Sequence, residues 1–366
     1  MPVYKDKNNK YYYVTDIYIN GKRKQKKKRG FNTQKEAKQA LTEVQDKINK
    51  GTYVEPSNMF LKDFLEEWFR SKRNEIGIQT QGIYQIYLNN YIIPNIGDLK
   101  LSSLETIKLQ TFINDLSENG YSAGTIKKVY NILSNSLSHA HDLELIPKNY
   151  AQKVKIPRVN NKKEITIWNS KQISTFLNIA KSENMFLIFH LALTTGMRQG
   201  EILGLRWKDV NFEKGFLKVS QTLSHDGKTF IEGAKSKTSI RTIPLSRNTL
   251  ELLKQHKSFL ENIKNEYNGV FNPNNLVNFS QVGTAINPAN VRRTFNRIIK
   301  NANLPKIRFH DLRHTHATLL LSEGINPKVI SERLGHSNIK ITLDIYSHVL
   351  PTMQEEAVNI IDKIIK

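Results

Sequence analysis

Apolar residues change their spacing three times along the 366-residue chain, and each change predicts a different kind of structure. Between 11 and 19, β-branched and aromatic residues dominate (YYYVTDIYI), Asn20-Gly21 supplies the backbone freedom of a two-residue hairpin turn, and a basic strand follows. Thr33 and Glu36 have capping-box spacing, Ala37, Leu41 and Val44 then share one helical face, and Gly51 can close that helix. Residues 1 to about 55 therefore read as a small hairpin or three-stranded sheet with one packed helix. From 59 to about 146 the helical period takes over, with Phe60, Phe64, Leu65, Trp68 and Phe69 as one apolar stripe. Further helices are expected at about 79–92, 104–117 and 122–141, broken at Pro94, Gly97 and Gly120, which makes an all-α bundle. The stretch 147–163 (PKNYAQKVKIPRVNNKK) has no apolar period, carries two prolines and several basic residues, and reads as an interdomain linker.

After Glu164 the pattern mixes. Asn169 or Ser170 can cap a helix through Ala180, and 185–193 is an apolar helix ending at Gly196. Strand-like runs follow at 215–223, 229–231 and 240–245, with Asp226-Gly227 as the first turn, and the remainder is helical. The expected fold is mainly α with small β elements (α+β). Its divisions are 1–56, a sheet with one helix; 57–147, an all-α bundle; 148–163, the linker; and 164–366, helices around a short antiparallel sheet.

Charge narrows the choice of partner. Lys and Arg number 55 against 33 for Asp and Glu, a net +22, so a polyanion is expected. The first thirty residues hold ten basic side chains and two acids, and seven of the ten fall within eight positions: Lys22, Arg23, Lys24, Lys26, Lys27, Lys28 and Arg29. A solvated basic face is the plain reading, but such a density is costly to hold together unless phosphates neutralise it, so these seven are expected to bind DNA. Cysteine is absent, which excludes disulfides, thiol nucleophiles and thiolate zinc sites and fits a reducing cytoplasm. No apolar run reaches about 18 residues and the N-terminus lacks a signal-peptide core, so neither membrane spanning nor export is expected.

Four segments near the C-terminus carry chemistry when taken together: TGMRQGE around Arg198, the turn Ala234-Lys235-Ser-Lys237, HDLRH with His310 and Arg313, and LGH with His336, followed by Tyr346. Singly, each has an ordinary explanation as a surface turn, a helix-end charge or a core tyrosine. Jointly they hold the parts of a phosphoryl transfer that needs no metal or cofactor. Two guanidinium groups can grip the non-bridging oxygens of one phosphodiester. Tyr346 is a hydroxyl nucleophile that must lose its proton during attack, His310 can take it, and Lys235 can protonate the departing 5′-oxygen. Asn326-Pro327 starts a helix that Gly335 can end, which leaves His336 just past it. A new helix can begin near Ser337, with Ile339, Leu343 and Tyr346 on one inward face. His314, His316 and His348 form no convergent tetrahedral set, so packing or phosphate-adjacent roles are preferred over a metal site.

The order and spacing of TGMRQGE, AKSKTSIRTIPL, HDLRHTHAT and LGHSNIKITLDIYSHV resemble the tyrosine recombinases, specifically phage and conjugative-element integrases. That resemblance implies a catalytic domain from about 165, an α-helical core-binding domain before it and an N-terminal arm-binding domain. It implies phosphate-clamping roles for Arg198 and Arg313, and a general-acid role for Lys235, with Lys237 left open as the alternative. His310 matches the acid/base histidine, His336 the histidine that hydrogen-bonds the scissile phosphate, Tyr346 the nucleophile of a 3′-phosphotyrosyl link, and Glu201 a bracing carboxylate. The implied function is integration, with excision, of a prophage or mobile element through a Holliday junction. The implied assembly is a homotetramer on double-stranded core and arm sites, assisted by an excisionase or DNA-bending host factor, in the cytoplasm and on the nucleoid. The segment after Pro351, with Val358, Ile361, Ile364 and Ile365, is expected to form a helix docked either on its own protomer or on a neighbour. The rivals are a type IB topoisomerase and a non-catalytic DNA-binding regulator on the same fold.

Overall fold

The structure is a computed structural model, and it describes residues 3–19, 22–50, 53, 57–157, 166–233, 240–266, 271–346, 358, 361, 362, 364 and 365. The chain divides into two compact units, 1–163 and 164–366. No described helix is long and apolar enough to cross a membrane.

The first unit begins with an antiparallel sheet in the order β1 (Val3–Lys5), β2 (Tyr11–Ile19), β3 (Lys22–Phe31). Strand alternation sends Tyr13, Thr15 and Ile17 to one face, where they are buried with Ala37 and Leu41 of α1 (Gln34–Asn49). Thr33 and Glu36 form the expected capping box; the helix ends at Lys50, and the expected turn at Asn20-Gly21 and stop at Gly51 lie outside the described residues. Gly30 adopts φ 98° where the pairing shifts between Tyr11 and Tyr12, a bulge that only a residue without Cβ accepts easily.

The helical part of this unit comprises α2 (Leu61–Lys72), α3 (Ile78–Tyr87), α4 (Ile93–Ile96), α5 (Thr106–Glu118) and α6 (Ala123–Asp142) around one apolar core. Three expectations shift. Phe60 stays 37% exposed and precedes α2 as its cap residue, so Leu61 joins Phe64, Leu65, Trp68 and Phe69 in the buried stripe instead. Pro94 does not break the chain's helical course, because a π-turn at Leu88–Ile92 directs the Ile93 N–H to Leu88 and Pro94 enters the first turn of α4, where no N–H is needed. The stretch read as linker starts in packed structure: Tyr150–Lys153 is a 3-10 turn, and Ala151 and Val154 belong to the helical core.

The second unit contains α7 (Ser170–Ala180), α8 (Phe186–Thr195), α9 (Gln199–Leu203), β4 (Val210–Asn211), β5 (Phe216–Val219), β6 (Gln221–Leu223), β7 (Phe230–Glu232) and β8 (Arg241–Pro244). It continues with α10 (Arg247–Glu266), α11 (Pro288–Asn301), α12 (Asp311–Ser322), α13 (Pro327–Leu334) and α14 (Ile339–Tyr346). Asn169 caps α7 through a reciprocal bond with Gln172. The run expected as one strand at 215–223 divides at Ser220, giving two small antiparallel sheets, β4-β5-β8 and β6-β7. Helix α8 is buried nearly all round, so it is the core helix of this unit.

Candidate active site

Two glycines in the left-handed conformation set the site's frame. Gly196 (φ 67°) ends α8 and Gly335 (φ 69°) ends α13, both at positions that favour the absence of a Cβ. At Gly196 a Cβ would lie 2.6 Å from Leu334 Cδ2 and 2.7 Å from His316 Cδ2, so the ends of α8 and α13 and the middle of α12 converge there. At Gly335 the chain reverses tightly, with the Gly335 N–H donating to the Glu332 carbonyl and the His336 N–H to that of Ser331, each at 3.0 Å.

Arg313 is buried on α12 and spans both helix ends, donating to the carbonyls of Gly196 (2.8 Å) and Leu334 (2.7 Å). Arg198 lies just before α9. Its N–H and Nη1 each donate to Glu201 at 2.8 Å, and Nη2 reaches the Gly335 carbonyl at 3.5 Å, while 40% of its side chain stays open to solvent. Glu201 is 3% exposed. Burial alone would push its carboxyl up, but the hydrogen bonds and charge of Arg241, together with Arg198, hold it at about 2.

The histidines report the resulting field. His336 donates or accepts at Nδ1 with the Thr342 hydroxyl (2.8 Å), and burial followed by the charges of Arg313 and Arg198 lowers it to about 4. His310 precedes α12, is exposed at its edge, and stands 5.1 Å edge-on from His314; desolvation, then His314, Arg313 and Arg198, bring it to about 4 as well. His316 bridges helices: Nε2 accepts from Arg333 (3.2 Å), which leaves Nδ1 as the donor to the Leu193 carbonyl (2.8 Å), and burial holds the ring neutral with its pKa near 4. A pocket where arginines outnumber carboxylates and imidazoles resist protonation is ready for an anion.

The structure thus gathers Arg198, Glu201, His310, Arg313 and His336. Lys235 and Lys237 lie outside the described residues, as does His348; Tyr346 ends α14, with its side chain outside them. On that helix the buried inward residue is Thr342, whereas Ile339 is 36% exposed. Val358, Ile361, Ile364 and Ile365 are helical and exposed. Sequence reasoning assigned no role to Arg241, Arg333 or Thr342. For Arg241 a signal existed: alternation along β8 puts it on the same inward face as the fully buried Ile243, an unusual place for a cation.

The seven basic residues of β3 divide by register. Arg23, Lys27 and Arg29 pair opposite Tyr18, Val14 and Tyr12, on the sheet face away from α1; Lys24, Lys26 and Lys28 pair opposite Ile17, Thr15 and Tyr13, on the α1 side. The side chain of Lys22 lies outside the described residues. Arg23 is bonded to Asp16 at 2.7 Å, and Lys27 and Arg29 stand 4.1 Å and 5.8 Å from the Tyr12 ring, which itself stacks on Tyr4.

Comparison with known proteins assigns the geometry to a family. Residues 167–353, just over half the chain, match the phage integrase family; residues 2–48 match an arm DNA-binding domain and 60–117 a phage integrase N-terminal SAM-like domain. A XerC-like tyrosine recombinase of Caldanaerobacter subterraneus subsp. tengcongensis is 32% identical, covering 96% of both chains. The ICEBs1 integrase of Bacillus subtilis is 30% identical over 70% of each. In fold, the chain is similar to the Tn1549 transposon integrase in complex with transposon right-end DNA (TM-score 0.69, 21% identity, 81% of this chain and 99% of that one). It is also similar to a lambda integrase in a tetramer bound to a Holliday junction (TM-score 0.60, 21% identity, 92% and 96%). The chain belongs to the phage integrase family and is a tyrosine-type site-specific recombinase.

Proposed function

We propose that this recombinase cuts and rejoins DNA through a covalent 3′-phosphotyrosyl link at Tyr346, integrating and excising a prophage or other mobile element. The observation that carries the reading is the pairing of Arg198 and Arg313 at the meeting point of α8, α12 and α13, with His310 and His336 held neutral beside them. In the proposed step the Tyr346 oxygen attacks phosphorus and the bond to the 5′-oxygen breaks. His310, unprotonated at neutral pH, accepts the tyrosine proton, and Lys235, or Lys237 two residues on, protonates the leaving oxygen. Arg198 and Arg313 neutralise the non-bridging oxygens as charge builds on them, and the uncharged His336 hydrogen-bonds the same phosphate. The link conserves the phosphodiester's free energy, so a new 5′-hydroxyl can reverse the step without ATP.

Two rounds of exchange would pass through a Holliday junction held by four copies, the state in which the similar lambda integrase was captured. The helical and catalytic domains would grip the core site, and the N-terminal sheet would hold arm sites as its family match suggests. An excisionase or DNA-bending host protein would set direction, on nucleoid DNA in the cytoplasm. The test is covalent capture: wild type and Tyr346→Phe are incubated with fragmented genomic DNA in excess EDTA, denatured, and the attached DNA sequenced. Adducts at one or two discrete sites, formed by wild type alone, are expected. Scattered adducts would favour a topoisomerase-like enzyme, and binding without any adduct would favour a regulator.

A further inference from the structure

Three consecutive carbonyls at the end of α13 each receive a different arginine: Arg333 from Arg241 Nε (2.7 Å), Leu334 from Arg313 Nη2 (2.7 Å) and Gly335 from Arg198 Nη2 (3.5 Å). A helix C-terminus leaves carbonyls unpaired and carries partial negative charge, so it is a natural anchor for guanidinium groups, and the turn at Gly335 fans these three apart. Arg241, like Arg198 and unlike Arg313 among the bonds described, also faces the buried carboxylate, and it does so while itself buried. Its Nη1 and Nη2 donate to Glu201 Oε1 (3.1 Å) and Oε2 (2.8 Å), the same two oxygens that hold the Arg198 side chain and N–H. Arg241 is itself the first residue of β8, directly after the segment that contains Lys235.

We infer that Arg241 is a positioning residue for phosphoryl transfer: by fixing both oxygens of Glu201 and tying that carboxylate to the end of α13, it sets where the Arg198 guanidinium meets the scissile phosphate. Arg198 alone is half open to solvent and, without a fixed partner, would sample many rotamers; a carboxylate locked by a buried fork removes that freedom before DNA arrives. Arg241 is 9% exposed and its Nε, Nη1 and Nη2 each donate within the protein, so it acts through Glu201 and not on the DNA.

The inference rests on the proposed cleavage reaction, and its test separates the two. Adduct formation is timed with the full chain on a nicked duplex carrying the crossover sequence recovered by covalent capture, in two versions: an ordinary scissile phosphodiester, and a methylphosphonate that lacks the negative charge. Arg241→Met is expected to slow the phosphodiester reaction about 100-fold and the methylphosphonate reaction less than tenfold, because a neutral centre no longer depends on a well-placed guanidinium. Glu201→Gln, nearly isosteric and usable even if Arg241→Met folds poorly, should show the same asymmetry, and the double variant should be little slower than either single one. Arg241→Lys should recover part of the rate by restoring one bond. Equal slowing on both duplexes would reduce Arg241 to a structural part and overturn the inference, as would wild-type rates in Arg241→Met. Absence of any adduct with the unaltered enzyme would defeat the proposed reaction and this inference with it.

Discussion

The N-terminal sheet and the catalytic unit both present clustered cations, yet they hold them in opposite ways. On β3 Arg23, Lys24, Lys27, Lys28 and Arg29 are exposed, divided between two faces by strand alternation, and steadied by contacts such as Tyr12 beneath Lys27. In the catalytic unit Arg241 and Arg313 are buried, Arg198 is half buried, and each is tied to named carbonyls or to Glu201. An exposed cation on a flexible stem offers charge at short range and adapts to a backbone it meets; a buried guanidinium tied by several bonds offers one position and pays little ordering cost during reaction. The difference teaches that cations can be held for adaptability or for one fixed position; on the proposed function the first serves binding and the second chemistry.

The sharpest way to break that distinction is to remove a buried arginine. Arg313→Ala should lower the rate of covalent adduct formation by about 1,000-fold or more, while core-duplex affinity in a mobility-shift assay changes less than tenfold. Loss of binding and of cleavage by the same factor would make Arg313 one phosphate contact among many and erase the contrast.

Acidity sharpens it next. In the unfolded chain His316 and His336 take up protons near the ordinary 6.5, but in the folded chain only near 4. The stability they carry is therefore whole above pH 6.5 and is lost as the pH falls from 6.5 toward 4, on the order of 3 kcal/mol for the buried His316. A melting series from pH 7.5 to 4.5 should show the catalytic unit losing stability, and His316→Gln should flatten that decline. A melting temperature that holds steady across the range would contradict the burial, reinforced by nearby arginines, that keeps these imidazoles neutral.

Gly196→Ala probes the frame itself. A left-handed φ costs about 1–2 kcal/mol for an alanine, and its methyl would press on His316 and Leu334, so Tm should drop by several degrees and adduct formation should slow. Full stability and activity would mean that the ends of α8 and α13 can shift apart although Arg313 donates to both.

Much of this was legible beforehand where one residue decides a local outcome. Gly196 and Gly335 announce their helix ends, Thr33 and Asn169 their caps, and the resemblance to the tyrosine recombinases implies one site for Arg198, Glu201, His310, Arg313 and His336, residues that the structure brings near one another. What could not be read depends on contacts across long separations. Nothing local says that Arg241 meets Glu201, forty positions earlier, or that Thr342 and not Ile339 turns inward on α14. Pro94 misled because a π-turn upstream changes which N–H groups are needed. On β3, composition revealed the charge but not its division, since a one-residue change of register exchanges every lysine between faces.

That division supplies the smallest effect and the most discriminating one for the sheet. Arg23, Lys27 and Arg29 share the face turned away from α1 with Tyr4 and Tyr12, whereas Lys24, Lys26 and Lys28 flank the helix side, where Lys26 bonds the Tyr53 hydroxyl. If the open face lies against arm DNA, Lys27→Ala should weaken arm-duplex binding about three- to tenfold and reduce the slope of log affinity against log salt by about one. Lys26→Ala, with its ammonium already engaged inside the protein, should change affinity less than twofold and leave the slope alone. Equal effects from both would show that DNA senses only the summed charge of the strand, and the sheet would then differ from the catalytic unit in degree of exposure alone.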